Sequence, residues 1–182
     1  MSNSTKPHYG WLSLLIALMS FSLSANAYAS DAQAHFNQGV AYFSLGDLRK
    51  AEVYFHRAVR ADRHHKQAYL ALADLYVAQR RYHRAENITA QALNHLSTDA
   101  ELWLMQGLVL RDQGKANAAK AAYLKAFHRA PNNIKVLKSV QSHFQHIGEV
   151  TRVKEFGERI KALSKISLTR GHEEKSKKGR LR

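Results

Sequence analysis

The sequence contains no cysteine, only two prolines among 182 residues, and half as many acidic side chains as basic ones. The missing thiols exclude disulfides, thiolate zinc sites, iron–sulfur clusters and a lipid anchor on cysteine. The low proline content excludes collagen-like and proline-rich chains. With 28 Lys and Arg against 14 Asp and Glu, the formal net charge is +14, which favours contact with polyanions. A hydrophobic fraction of 45% nevertheless indicates a globular domain.

No apolar stretch reaches the roughly 20 residues that a membrane-spanning helix requires. The longest apolar run, 11–23, follows a short polar start and precedes small residues that end in Ala27-Tyr28-Ala29. This layout is typical of a secretory signal peptide, so residues 1–29 are predicted to be removed by cleavage after Ala29. We therefore expect an exported protein of the Gram-negative periplasm. The alternative is an uncleaved segment that anchors the chain in the inner membrane.

Three segments, 32–65, 66–99 and 100–133, align without gaps at a spacing of 34 residues. Small side chains recur at the eighth, twentieth and twenty-seventh positions of each segment, and rings or large apolar side chains fill most of the fourth and eleventh. The small residues are Gly39, Ala73 and Gly107 at position eight, Ala51, Ala85 and Ala119 at position twenty, and Ala58, Ala92 and Ala126 at position twenty-seven. This pattern resembles the tetratricopeptide repeat.

The resemblance implies an all-α, right-handed superhelical solenoid of helix-turn-helix units. For the first unit we predict helices at Gln33–Leu45 and Leu48–Ala61, with Gly46 in the turn between them. Gly114 recurs at the same phase, whereas Arg80 occupies that place in the second unit.

The repeat domain is expected to span 30–164. A degenerate fourth unit, 134–164, is predicted to close the array as a helix pair, because terminal repeats have one face in water. The polar, basic residues 165–182 are predicted to form a disordered tail.

In the resembled family, the first helix of each unit lines a concave groove that generally binds peptides. Positions two, five, nine and twelve of such a helix share one face, and here most of them are apolar. The predicted peptide-binding residues are Phe36, Val40, Phe43, Leu70, Asp74, Val77, Glu101, Leu104, Leu108 and Arg111. The expected partner is a protein, bound through a peptide segment or an amphipathic helix. The alternative is that these side chains pack within the superhelix or under a neighbouring copy.

The family's clamp for a C-terminal carboxylate requires basic and amide side chains, and the corresponding places here hold other residues. We therefore do not expect that ligand class. No nucleophile elbow, phosphate-binding glycine loop or zinc-protease motif is present, and the histidine pairs His64/His65 and His143/His146 lack a third ligand at helical spacing. No metal or cofactor is expected, and the chain is predicted not to be an enzyme.

The functional expectation is a non-catalytic interaction scaffold in the bacterial envelope. It could serve assembly of a machine such as a type IV pilus or a cytochrome c maturation system. Basic residues concentrate in the second helices, which form the convex back in the resembled family, and in the segment after 134. The alternative function is therefore electrostatic binding of anionic membrane or envelope surfaces through this back and the tail. Nucleic acid is not an expected partner after export.

Overall fold

The structure is a computed structural model that describes residues 31–179, with side chains described for 31–166. This part of the chain consists of eight helices and contains no strand, so the all-α prediction is confirmed. The predicted helices of the first unit agree with the observed ones to within two residues at their ends. The helices are α1 (31–44), α2 (Leu48–Ala61), α3 (Lys66–Ala78), α4 (Tyr82–His95), α5 (Ala100–Asp112), α6 (Ala116–Arg129), α7 (Ile134–His146) and α8 (Val150–Gly179).

The chain divides into two compact units, Met1–Ala68 and Tyr69–Arg182. The described part of the first unit comprises α1, α2 and the first three residues of α3. Phe55 of α2 is 2% exposed, and a Cβ atom added to Gly39 of α1 would lie 2.5 Å from its ring. The small residue at position eight therefore lets α1 and α2 approach closely, as the repeat pattern predicts.

In the second unit, successive helices from α4 to α8 pack against one another, and α5 also contacts α7. The same small-to-large fit recurs, because a Cβ atom on Gly107 of α5 would lie 3.1 Å from the ring of Tyr123 on α6. Buried apolar side chains from four helices, α5 to α8, continue this packing into one apolar core. Its buried members are Leu104, Leu110, Ala119, Ala122, Tyr123, Ala126, Val136, Leu137, Val140, Phe144 and Phe156.

The turns between paired helices share one backbone conformation. Gly46, Gly114 and Gly148 have φ angles of 77°, 75° and 76°, and Arg80 has a φ of 57°. Glycine adopts this left-handed region without a steric penalty, whereas a residue with a Cβ atom is strained there. The second repeat, 66–99, therefore makes the same turn as the other repeats, and its backbone is strained at Arg80.

Two departures from the repeat pattern compensate for each other. Thr89 occupies position twenty-four, where the first and third units have an aromatic ring, and Gln106 occupies a place where the family usually has leucine. The Thr89 side chain is fully buried, and its hydroxyl donates a hydrogen bond to Gln106 Oε1. The single hydroxyl proton is shared with the carbonyl oxygen of Ala85, 2.9 Å away, so the buried Thr89 hydroxyl is satisfied inside the packed helices.

Charged pairs connect successive helix pairs in a fixed register. Glu86 of α4 accepts from Lys115 at 2.9 Å, and Lys120 of α6 pairs with Glu149, a separation of 29 residues in both cases. The two pairs occupy equivalent places with the charges exchanged. Hydrogen bonds from Lys115 and Gln113 hold the pKa of Glu86 below its usual value.

The last two helices close the described chain through aromatic contacts. Phe156 of α8 is 2% exposed and lies 5.3 Å from Phe127 and 5.6 Å from Phe144, measured between ring centroids. The sequence predicts disorder from residue 165, whereas α8 continues as helix to Gly179. This segment has no proline to end the helix, and its lysines and glutamates are good helix formers.

The predicted signal peptide, 1–29, lies outside the described residues, as do the last three residues of the predicted tail. Among the helices described, none combines the length and apolar character needed to cross a membrane.

Candidate peptide-binding groove

The predicted groove residues of the first repeat, 32–65, differ in their exposure. Phe36 is half-buried, with its ring centroid 5.7 Å from that of Phe55 and 5.2 Å from that of His65. Val40 and Phe43 are 42% and 47% exposed. Phe36 therefore packs against neighbouring rings, as the alternative to the groove prediction expects, whereas Val40 and Phe43 are open to solvent.

Within the compact unit Tyr69–Arg182, the first helices of three successive repeats, α3, α5 and α7, line one pocket of about 240 Å³. Leu70 and Asp74 come from α3, the central residues from α5, and two further residues from α7. The pocket brings together five of the ten predicted groove residues. Its lining is Leu70, Asp74, Glu101, Leu104, Met105, Leu108, Lys135 and Ser139. We call it the apolar pocket.

The starts of α5 and α7 set the register of these side chains. Asp99 caps α5 by accepting the backbone N–H groups of Glu101 and Leu102. Asn133, 34 residues later, caps α7 by accepting those of Lys135 and Val136. Because both caps fix the first turn in the same way, equivalent positions of the two helices point to the same face.

The floor of the apolar pocket overlaps with the core. Leu104 is 4% exposed and belongs to the core cluster, although it also lines the pocket. Leu70, Met105 and Leu108 are half-buried. The side chain of Leu104 therefore supports the fold and lines the pocket at the same time.

Charged side chains form the rim of the apolar pocket. Lys135 of α7 forms an ion pair with Glu101 of α5. Asp74 has a raised pKa, chiefly because the surrounding protein displaces water from its carboxylate, with Lys135 opposing and Glu101 reinforcing the shift. A partly desolvated carboxylate in such a place is suited to meeting a cationic or hydrogen-bonding group of a ligand.

A second pocket, of about 280 Å³, adjoins the first and shares Leu108 and Ser139 with it. Arg111, predicted at the edge of the groove, lies here, whereas Val77 is half-buried and lines neither pocket. The full lining is Leu108, Arg111, Tyr123, Lys138, Ser139 and Ser142. We call it the basic pocket.

The α7 side of both pockets was not predicted from the sequence. Lys135, Lys138, Ser139 and Ser142 occupy positions two, five, six and nine of the fourth unit, by the same count that places Glu101 at position two of the third. Extending the groove positions two, five and nine into the degenerate unit would have identified Lys135, Lys138 and Ser142, whereas Ser139, at position six, lies outside that set.

Two histidines, His65 and His143, serve the packing of the protein. His65 is 8% exposed; its Nδ1 accepts the N–H of Ala68, and its Nε2 therefore carries the proton that is donated to Gln33 Oε1 at 3.3 Å. His143 is fully buried against Tyr123, with 4.6 Å between ring centroids. Within the part of the chain that the structure describes, no three His, Asp or Glu side chains are grouped to hold a metal ion.

Comparisons with known proteins agree with this geometry. Two models of the tetratricopeptide repeat family match the chain, one at residues 42–108 and the other at 100–133, and together they span about half of it. No curated protein sequence matches at a significant level.

Solved structures show the same fold at low sequence identity. MamA from Desulfovibrio magneticus RS-1 is 18% identical, with a TM-score of 0.62 over 74% of this chain and 76% of that one. Pseudomonas aeruginosa PilF is 20% identical, with a TM-score of 0.65 over 76% of this chain and 64% of that one. The first such domain of Spaghetti (RPAP3), bound to the HSP90 peptide SRMEEVD, is 18% identical, with a TM-score of 0.57 over 66% and 95%. The fold is thus an all-α solenoid, and the chain belongs to the tetratricopeptide repeat family.

Proposed function

We propose that the protein is a non-catalytic scaffold that binds a segment of a partner protein in the groove formed by α3, α5 and α7. The observation that carries this proposal is the apolar pocket, to which three successive first helices contribute side chains. Leu70, Leu104 and Leu108 give it an apolar floor, while Asp74 and the Glu101–Lys135 pair give it a charged rim. A concave apolar site with a few polar groups is the usual form of a binding site.

The chemistry of the pocket defines the partner segment. An aliphatic or aromatic side chain would fill the floor, and burying one such side chain contributes about 1.5–3 kcal/mol. The carboxylate of Asp74 at the rim favours a basic or hydrogen-bonding group on one side of that anchor. The partner is therefore an amphipathic peptide or helix. A precedent for peptide binding by this fold is the Spaghetti domain with its bound HSP90 peptide.

We further propose that this scaffold works in the bacterial envelope. The support is the signal-peptide layout of residues 1–29, which suits export to the periplasm. Assembly of a type IV pilus or maturation of cytochrome c are examples of envelope processes that use such a scaffold. Fractionation of cells that express the full chain would test the location, and recovery in the cytoplasm at full length would contradict it.

The groove is tested by selecting binders to the full chain from a library of random 12-residue peptides. We expect peptides with an aliphatic or aromatic anchor. Leu108→Ala should weaken their binding by about tenfold to 150-fold, because Leu108 lines both pockets. Binding is measured by fluorescence anisotropy.

Leu124→Ala is the matched control. Leu124 of α6, like Leu108, is a partly buried leucine packed on the core cluster, but it lines neither pocket. Equal losses from the two variants would mean that binding follows stability rather than the groove. Failure to select any peptide would also refute the proposal.

The alternative function, binding of anionic envelope surfaces, has one structural observation in its favour. A pocket of about 290 Å³ is lined by Ser97, Trp103, Lys125, His128 and Arg129, with Lys125 Nζ 4.3 Å from the centre of the Trp103 ring. Its cations would attract acidic headgroups. Cosedimentation with phosphatidylglycerol vesicles should then weaken steeply from 0.1 M to 1 M salt, since the Debye length falls from about 10 Å to about 3 Å. Binding that is indifferent to salt and to Lys125→Ala would exclude this function.

A further inference from the structure

The basic pocket is lined by charged and hydroxyl side chains, which an apolar anchor would not contact through hydrogen bonds. Arg111 of α5 and Lys138 of α7 enter it from two helices, and the remaining lining is Leu108, Tyr123 and two serines. No acidic side chain belongs to this lining. Arg111 is also paired with Asp112, 2.8 Å away and outside this lining, so the pocket keeps one uncompensated positive charge, to which an anion would be attracted.

The contrast between Lys135 and Lys138 on the same helix is informative. Lys135 is neutralised by Glu101. Lys138 is exposed, and among the described residues its ammonium group has no ion pair or hydrogen bond. The repeat register explains this, because the residue 34 positions before Lys138 is Leu104, whereas the one before Lys135 is Glu101. No described residue therefore compensates the charge of Lys138, which can pair with an anionic group of a ligand.

Arg111 is only partly satisfied within the chain. Its Nε and Nη2 both donate to a single oxygen of Asp112, at 3.0 and 2.8 Å, so the other guanidinium N–H groups remain for a ligand. Its charge also affects the neighbouring rings. Burial raises the pKa of Tyr123 and the Arg111 charge opposes this rise, while burial lowers the pKa of His143 and the same charge lowers it further. Asp112, the ion-pair partner of Arg111, acts in the opposite sense on Tyr123, and Glu149 does so on His143.

The serines supply hydrogen-bonding groups beside the cations. Ser139 donates its hydroxyl proton to the carbonyl of Lys135 at 3.0 Å. Ser142 is exposed, and within the described chain its hydroxyl makes no hydrogen bond, so it can donate to an incoming oxygen. A guanidinium, an ammonium and a hydroxyl around one pocket match the acceptor-only oxygens of a carboxylate.

We propose that the basic pocket binds the carboxylate of an internal Asp or Glu of the partner segment, beside the side chain held in the apolar pocket. This inference rests on the proposed function. Since the two pockets share Leu108 and Ser139, their occupants belong to one segment. Side chains on one side of an extended chain are two residues apart, and those on one face of a helix are three or four apart. The acid therefore lies two residues from the anchor in an extended partner and three or four in a helical one.

The test uses the 12-residue peptides selected on the full chain, synthesised with acetylated and amidated ends. An acid at the stated spacing should be enriched among them, and replacing it by glutamine should weaken binding about tenfold or more, since hydrogen bonds to charged groups are the stronger ones. Lys138→Glu should reverse the preference, so that peptides with lysine at that position bind more tightly than those with glutamate. The matched control is Lys154→Glu, which makes the same charge change at an exposed site of α8.

Three results would overturn the inference. Equal binding of the glutamate and glutamine peptides, with Leu108→Ala still harmful, would remove the acidic subsite and leave the proposed function standing. A peptide that lacks the internal acid but has a free C-terminus and binds as tightly would assign the pocket to a terminal carboxylate. A Lys154→Glu effect as large as that of Lys138→Glu would show only long-range attraction, which is also distinguished by its loss at high salt.

Discussion

On helices α5 and α7, the side chains that face neighbouring helices remain buried from the third unit to the fourth, whereas those that face the groove change their chemistry. Leu102 and Val136 are both buried at position three, and Leu110 and Phe144 at position eleven. At the groove, the changes from the third unit to the fourth are Glu101 to Lys135, Leu104 to Lys138, and Leu108 to Ser142. The repeat pattern therefore specifies the packing, and the positions that it leaves free specify what is bound.

The largest expected effect is on the packed face. Tyr123 is 1% exposed and fills the space beside Gly107, so Tyr123→Ala should leave a cavity and lower the free energy of unfolding by about 3–5 kcal/mol. Urea unfolding followed by circular dichroism measures this loss. Ser142→Ala, on the groove face of α7, should change stability by less than about 0.5 kcal/mol. Similar losses from both variants would break the comparison between the two faces.

A second effect sharpens the comparison, because His143 is a titratable residue on the packed face where the third unit has Val109. Both of its ring nitrogens are buried without a hydrogen-bond partner among the described residues, and burial holds its pKa below the ordinary value of 6.5. The charges of Arg111, Lys120 and His146 lower that pKa further, while Glu149 opposes them.

The sign of the pH dependence follows from this lowered pKa. Above about pH 7 His143 is neutral in both states, so its contribution to stability is complete. As the pH falls below 6.5, the unfolded chain takes up the proton first, and stability is lost until the folded-state pKa is reached. Urea midpoints between pH 7.5 and 5 should show this loss, and His143→Val should reduce the slope. An unchanged slope in the variant would assign the acid sensitivity to other groups.

The smallest expected effect concerns the turn within the second repeat, 66–99. Arg80 holds the left-handed conformation that glycine adopts in the other described units. Arg80→Gly relieves a strain of about 1–2 kcal/mol but adds about 0.5–1 kcal/mol of chain entropy to the unfolded state, so a net gain of up to about 1.5 kcal/mol is expected. Thermal unfolding measures the gain. Gly114→Arg, which places an arginine at the equivalent turn of the third unit, should have the opposite sign.

Much of the fold could be predicted from the sequence because its signals are local and periodic. The 34-residue spacing, the alanines at fixed positions and the glycines in the turns are visible without tertiary contacts, and each has a direct steric reason. The same register predicted five groove residues that the structure brings together around the apolar pocket. Composition alone was a poor guide after residue 165, where polar helix formers continue α8.

The sequence by itself determined the units of this protein: the helices, their turns and the small residues that let each pair close. Tertiary structure decided which side chains of separate units meet. It pairs Thr89 with Gln106, buries His65, makes Leu104 part of both core and groove, and sets Arg111 beside Lys138. The physical reason is distance along the chain. Periodicity specifies which face of a helix is apolar. Which side chains about 30 residues apart in the sequence become neighbours depends on how the helices stack.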